Sequence, residues 1–129
     1  MADVNLLAVL AAAIASFVIG GLWYSPMLFG KAWCSDAGVD MEKGHPPKVF
    51  VISLVFSLVA AYAFAVLIGP APDLTEAIHS GLWVGVGFVA ASFGINYQFA
   101  NRPLRMWLID SGYHVVQFVA FGVVLGLWH

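Results

Sequence analysis

KVFVISLVFSLVAAYAFAVLIGP, residues 48–70, carries no charged side chain between Lys48 and the Gly69-Pro70 stop. A helix needs about 20 apolar residues to cross a bilayer core, and this stretch supplies them. Working outward, three further apolar runs alternate with short connections. The sequence predicts transmembrane helices at about 5–24, 48–69, 74–97 and 104–128. The fold class is all-α: an integral membrane four-helix bundle, with a short interfacial helix in the first cytoplasmic loop. The 129 residues make a single membrane domain. Charged residues are 9% of the chain, against about a quarter in soluble domains. Four spans leave no room for a soluble catalytic domain.

The cations set the orientation. Lys31, Lys43 and Lys48 fall in or beside the first connection, and Arg102 and Arg105 in or beside the third. The second connection and both ends of the chain carry none. Positively charged short loops stay in the cytoplasm, so both termini are expected outside. Five cations spread over a membrane surface form no basic groove, which excludes nucleic acid as a partner. The first run is not read as a signal peptide. Asp3 stands where such a peptide has a basic residue, and Trp23-Tyr24-Ser25-Pro26 follows in place of a small-residue cleavage site. Cys34 is the sole cysteine; on the cytoplasmic side it would stay reduced.

Local signals fill in the connections. Ala8, Ala12, Ala15 and Ile19 make a small-residue stripe on the first helix. Ser25-Pro26 reads as a helix start, so residues 26–33 are predicted as a helix in the headgroup plane, followed by a polar loop at 35–45. Asp73 with Glu76 three residues later resembles a capping box, which explains Glu76 without chemistry. Trp23, Trp33, Tyr97 and Trp107 read as an inner aromatic belt and Trp128 as the outer one.

The fourth helix carries the polar stripe. Asp110, His114 and Gln117 follow at spacings of four and three, so they share a face, with Tyr113 at its edge. Asp110 lies roughly 9 Å along the axis from Leu104. Ionisable groups at such depth face protein or water, not lipid. On a wheel of about 100° per residue, Gly81, Gly85, Phe88, Ser92 and Asn96 cluster on one face of the third helix. Asn96 and Ser92 are therefore expected to join the stripe, with Ser53 and Ser57 from the second helix, in a cytoplasm-facing polar pocket. Arg102 is the expected cation for Asp110; Arg105 points off the stripe. The competing reading is that these groups only tie helices together.

No metal site is expected. His45 and His129 belong to opposite sides, His79 faces away from Asp110, and no pair has zinc spacing. No cofactor is called for. Gly81-x-x-x-Gly85 and Gly122-x-x-x-Gly126 are two close-packing ridges. One is expected to join helices within the bundle and the other to join subunits in a homo-oligomer.

Gly21-Leu-Trp23-Tyr24-Ser-Pro26-Met-Leu-Phe29-Gly30-Lys31-Ala-Trp33 resembles the opening signature of a bacterial membrane family known as domain of unknown function seventeen sixty-one. Phe99-Ala-Asn-Arg102-Pro103 through Asp110-Ser-Gly112-Tyr113 is similar to its second signature, and Gly122-Val-Val-Leu-Gly126-Leu-Trp128 to its last helix. The resemblance implies a small four-helix protein of the bacterial plasma membrane. It brings no activity, substrate or catalytic residue.

The primary functional reading is a non-enzymatic membrane protein, homo-oligomeric, in contact with lipid, that binds or passes a small solute, ion or lipid through the polar pocket. Its candidate residues are Asp110, His114, Gln117, Asn96, Arg102, Tyr113 and Ser57. A second reading is a membrane-embedded enzyme acting on a lipid or quinone, with Asp110 and His114 as acid and base. No nucleophile motif, phosphate loop or metal signature accompanies that pair. A third reading is a structural or assembly partner.

Overall fold

The computed structural model describes residues 4–129, so the reading of Asp3 lies outside the described residues. Helix α1 runs Leu6–Trp23, α2 Gly30–Ala37, α3 Pro47–Ile68, α4 Leu74–Phe99 and α5 Leu104–Leu127. No strand occurs among the described residues. Helices α1, α3, α4 and α5 are each long and apolar enough to cross a membrane. Their bounds match the hydropathy reading to within two residues. Asn5 starts α1 by accepting the Ala8 N–H at 3.1 Å, and Asp73 starts α4 by accepting the Glu76 N–H at 3.4 Å. Proline opens α3 and immediately precedes α5. A missing N–H costs nothing at those first positions.

The short helix begins later than expected. Ser25 does not cap forward; its Oγ turns back to the Leu22 carbonyl at 2.7 Å. Residues 25–29 form a tight reversal instead, closed by Phe29 N–H to Trp23 O and Gly30 N–H to Ser25 O, both at 3.0 Å. Gly30 is required there: a Cβ would sit 2.2 Å from the Tyr24 carbonyl oxygen. The helix therefore occupies Gly30–Ala37 and takes in part of the stretch expected to be loop. It ends at Gly38, whose φ of 72° favours glycine.

Helices α1, α3 and α5 form the core. Ala8, Ala12, Ala13, Ala61 and Ala65 surround Phe64, Phe118 and Phe121. The three phenylalanines meet edge-on or tilted, with centroids 5.3–6.3 Å apart. Alanine on α1 and α3 brings the backbones close enough to enclose them. Helix α4 adds Val84 and Val89 to the edge of this core and leans chiefly on α5. There each glycine ridge packs against the opposite helix. A Cβ on Gly81 would lie 2.4 Å from the Phe118 carbonyl oxygen, and one on Gly122 would lie 2.5 Å from that of Ala77. Both ridges are thus consumed within the chain: Gly126 and Gly122 lie against Leu74 and Ala77, and Gly81 and Gly85 continue the seam against Phe118 and Val115.

Helix α4 is not α-helical throughout. Trp83–Ala90 is a π-helix, whose i→i+5 bonding places more residues in each turn. The positions packed against α5 run Ala77, Gly81, Gly85 and then Ala90, Gly94 and Tyr97, a step of five where the ladder widens. Phe88, Ser92 and Asn96 are consequently exposed. The wheel of about 100° that grouped them with the glycines holds only for unbroken α-helix. Beyond the π segment α4 and α5 diverge, bridged by long aromatic side chains.

Candidate functional site

The five cations all sit at one end of the bundle, formed by the end of α1, α2, the start of α3 and the α4–α5 connection. The polar stripe descends from that end. Asp110 is 7% exposed, and both of its oxygens are taken. The Tyr24 hydroxyl donates to Oδ1 at 2.6 Å, and the Tyr97 hydroxyl donates to Oδ2. Three segments are thereby tied at one carboxyl group: the exit of α1, the far turn of α4, and α5. Two neighbours fix the same level. Trp23 Nε1–H donates to the Ile109 carbonyl at 2.9 Å, and Trp107 Nε1–H donates to the Ala90 carbonyl at 2.9 Å.

Arg102 is not the partner of Asp110. The single ion pair among the described residues joins Arg105 to Asp36 at 2.7 Å. Arg105 does leave the stripe, as expected, and its guanidinium holds Asp36 against α5 through two hydrogen bonds. Those bonds, more than the charge itself, hold the Asp36 carboxyl below its usual range. Arg102 follows Asn101, whose φ of 55° turns the chain back. It is exposed and borders an open recess of about 260 Å³ with Gly94, Tyr97, Gln98, Leu104 and Trp107. This recess occupies the gap left where α4 and α5 diverge. Its wall is mostly apolar, with Arg102 and Gln98 as polar groups at the rim.

The rest of the stripe forms a second hydrogen-bonded chain. His114 Nδ1 meets Gln117 Oε1 at 2.8 Å, and Gln117 Nε2 donates to Ser16 Oγ at 3.4 Å. Ser16 Oγ–H donates to the Ala13 carbonyl at 3.0 Å, and Tyr113 OH donates to the Ser16 carbonyl at 3.0 Å. A carbonyl can only accept, so neutral His114 carries its proton on Nδ1 and keeps Nε2 as an acceptor. Rings close around it: Phe93 at 5.1 Å and Tyr113 at 4.9 Å, both edge-on. No hydrogen bond links His114 to Asp110. Deeper still, Phe118 and Phe121 seal the stripe within the core.

Asp110, Gln117, Tyr113 and His114 thus share one line, and Ser57 is buried on α3 at 8% exposure. Asn96, Ser92 and Ser53 point outward and take no part. Tyr24, Tyr97, Trp23 and Ser16 were not anticipated as members. Tyrosine and tryptophan near helix ends also serve as interfacial anchors, which hid their second role. The signal was available in depth: α1 is antiparallel to α5, so its last turn falls level with Asp110, one turn and a half inside α5.

The two stretches quoted above for Trp23 and for Asp110 meet here face to face. The model of a family described as protein of unknown function (DUF1761) matches residues 7–126. The chain belongs to this family. Nothing matches among curated proteins or solved structures.

Proposed function

We propose that this protein is a multi-pass protein of the bacterial plasma membrane that binds a small anionic amphiphile at the recess beside Tyr97, from the cytoplasmic side. The observation that carries this reading is the double duty of Tyr97. Its ring walls the recess, and its hydroxyl donates to buried Asp110. Occupancy at the surface is thus coupled directly to the internal tie. Arg102 at an apolar rim suits a phosphate or carboxylate headgroup, with the tail lying along Trp107 and Leu104. Five cations at one end support a cytoplasmic position for the recess.

Binding is favoured over passage. The polar stripe stops at Phe118 and Phe121, and Phe121 is 0% exposed. The enzymatic reading loses support, because both Asp110 oxygens already accept from tyrosine and His114 turns to Gln117. The structural reading keeps one specific argument: the same two tyrosine bonds would serve as a pure fastening. Neither glycine ridge is left free for self-assembly.

Native mass spectrometry of the purified chain, released from nanodiscs of mixed phosphatidylglycerol and phosphatidylcholine, tests the proposal. About one phosphatidylglycerol retained per chain is expected, falling at least fivefold in Arg102→Gln. Equal retention of the two lipids, unchanged by Arg102→Gln, would reject it and leave the fastening reading.

A further inference from the structure

Three features of α4 and α5 go unused by the site, and they share one explanation. Ser92 and Asn96 are polar but face outward on a helix of membrane-spanning length; Ser92 sits roughly 10 Å along the axis from Phe99. Polar side chains at such positions normally face protein. Ser111 is the converse. It is 4% exposed, and its Oγ has no hydrogen-bond partner. On α5 it lies between Trp107, bonded to Ala90, and Val115, packed on Gly85. It is therefore opposite the third feature, the π segment Trp83–Ala90.

The angles connect them. On an unbroken α-wheel Phe88, Ser92 and Asn96 fall within about 60° of Gly81, whereas Ala90, Gly94 and Tyr97 fall about 160–220° away. The far half of α4 thus carries two faces. One meets α5 when residues 83–90 are π-helical; the other would meet it if they were α-helical. Gly85 and Gly87 within the segment lower the steric cost of rewinding.

We propose that α4 has two registers against α5, exchanged by π-to-α rewinding of residues 83–90. In the register described above Tyr97 reaches Asp110. In the other, the far half turns by roughly half a revolution. Tyr97 then leaves Asp110, Ser92 and Asn96 turn inward, and the Ser111 hydroxyl gains polar neighbours. Two packings of one sequence separated by a small free-energy gap are a known switching device. This inference does not depend on what occupies the recess.

Cysteine pairs in a Cys34→Ser background test it, oxidised in nanodiscs. Ala90→Cys with Ser111→Cys, both buried where α4 meets α5, reports the register described. Ser92→Cys with Ser111→Cys reports the rotated one. The second pair is expected to crosslink in a minor fraction of the parent, and about tenfold more when Tyr97→Phe removes the donor to Asp110. Crosslinking of the first pair alone, with and without Tyr97→Phe, would overturn the proposal. A trifluoromethyl label on Asn96→Cys, exposed in the register described, gives a second reading. Two fluorine resonances whose ratio shifts in Tyr97→Phe support two registers. One resonance, unmoved by that substitution, refutes them.

Discussion

Tyr24 and Asp110 stand 86 residues apart in sequence, yet their side-chain oxygens are 2.6 Å apart. The first membrane-length helix is thereby fastened to the last, with Tyr97 of α4 completing the clasp. Removing the acceptor orphans two hydroxyl groups. An unsatisfied buried polar group costs about 1–3 kcal/mol, so Asp110→Ala should destabilise the chain by about 2–4 kcal/mol. Asp110→Asn keeps one carbonyl acceptor and should lose less than half as much. Urea unfolding in mild detergent measures both, and equal losses would contradict the clasp.

Close approach of α4 to α5 makes a second, positional prediction. Gly81→Ala forces a contact 2.4 Å from a backbone oxygen, and overpacking of this kind costs about 1–3 kcal/mol. Gly21→Ala meets nothing within 4 Å and should be neutral. Limited proteolysis of the connections at residues 70–73 and 100–103 should rise for the first variant only. Matching digestion patterns would show that the ridges do not hold α4.

Gly30 sets the reversal that aims Tyr24. A side chain there collides with the Tyr24 carbonyl at 2.2 Å. Gly30→Ala should therefore loosen α2 and the Tyr24 clasp together, although it touches neither Asp110 nor a spanning helix. Tyrosine and tryptophan near-ultraviolet dichroism should weaken while helical content stays constant. Retention of the full aromatic signal would separate the reversal from the site.

Acid should release α2 from α5. The Arg105 hydrogen bonds lower Asp36 from its ordinary value of 3.8. A depressed carboxyl contributes stability above its unfolded value, and that contribution is lost as pH falls through the folded one. Trp33 fluorescence should accordingly change on acidification below about pH 4. Asp36→Asn should abolish that acid transition and resemble the acid form at neutral pH. A transition that persists in Asp36→Asn would assign it to another group.

Orientation has its own test. The proposed topology expects a periplasm-active reporter at the C-terminus and a cytoplasm-active reporter at Lys43 to signal, and the reverse placements to stay silent. Activity of the reversed pair would turn the molecule over and move the recess to the outer surface.

Hydropathy made the four long helices legible, because a bilayer core demands about 20 apolar residues whatever the packing. The stripe of Asp110, His114 and Gln117 was legible from helical spacing, for α5 is regular throughout. Asn96 was misassigned because sequence does not reveal where a ladder widens, and one π segment rotates everything after it. Ser25 misled for a related reason: a serine before proline caps forward or bonds backward, and only the Gly30 contact decides. Partners of Asp110 depended on depth across three helices, which charge matching to Arg102 ignored. That choice overlooked how readily a phenol, carrying its own apolar ring, reaches a buried acceptor.

The 86-residue separation of the Tyr24–Asp110 and Trp23–Ile109 pairs also governs how the molecule is made. At translation rates of about 5–20 residues per second, α1 waits on the order of ten seconds for the segment that completes it. Meanwhile α4 and α5, joined by a short link, can zip together almost as soon as they leave the ribosome. Biogenesis therefore ends where synthesis began, and a chain truncated before residue 109 would leave its earliest helix in the bilayer without its final companion.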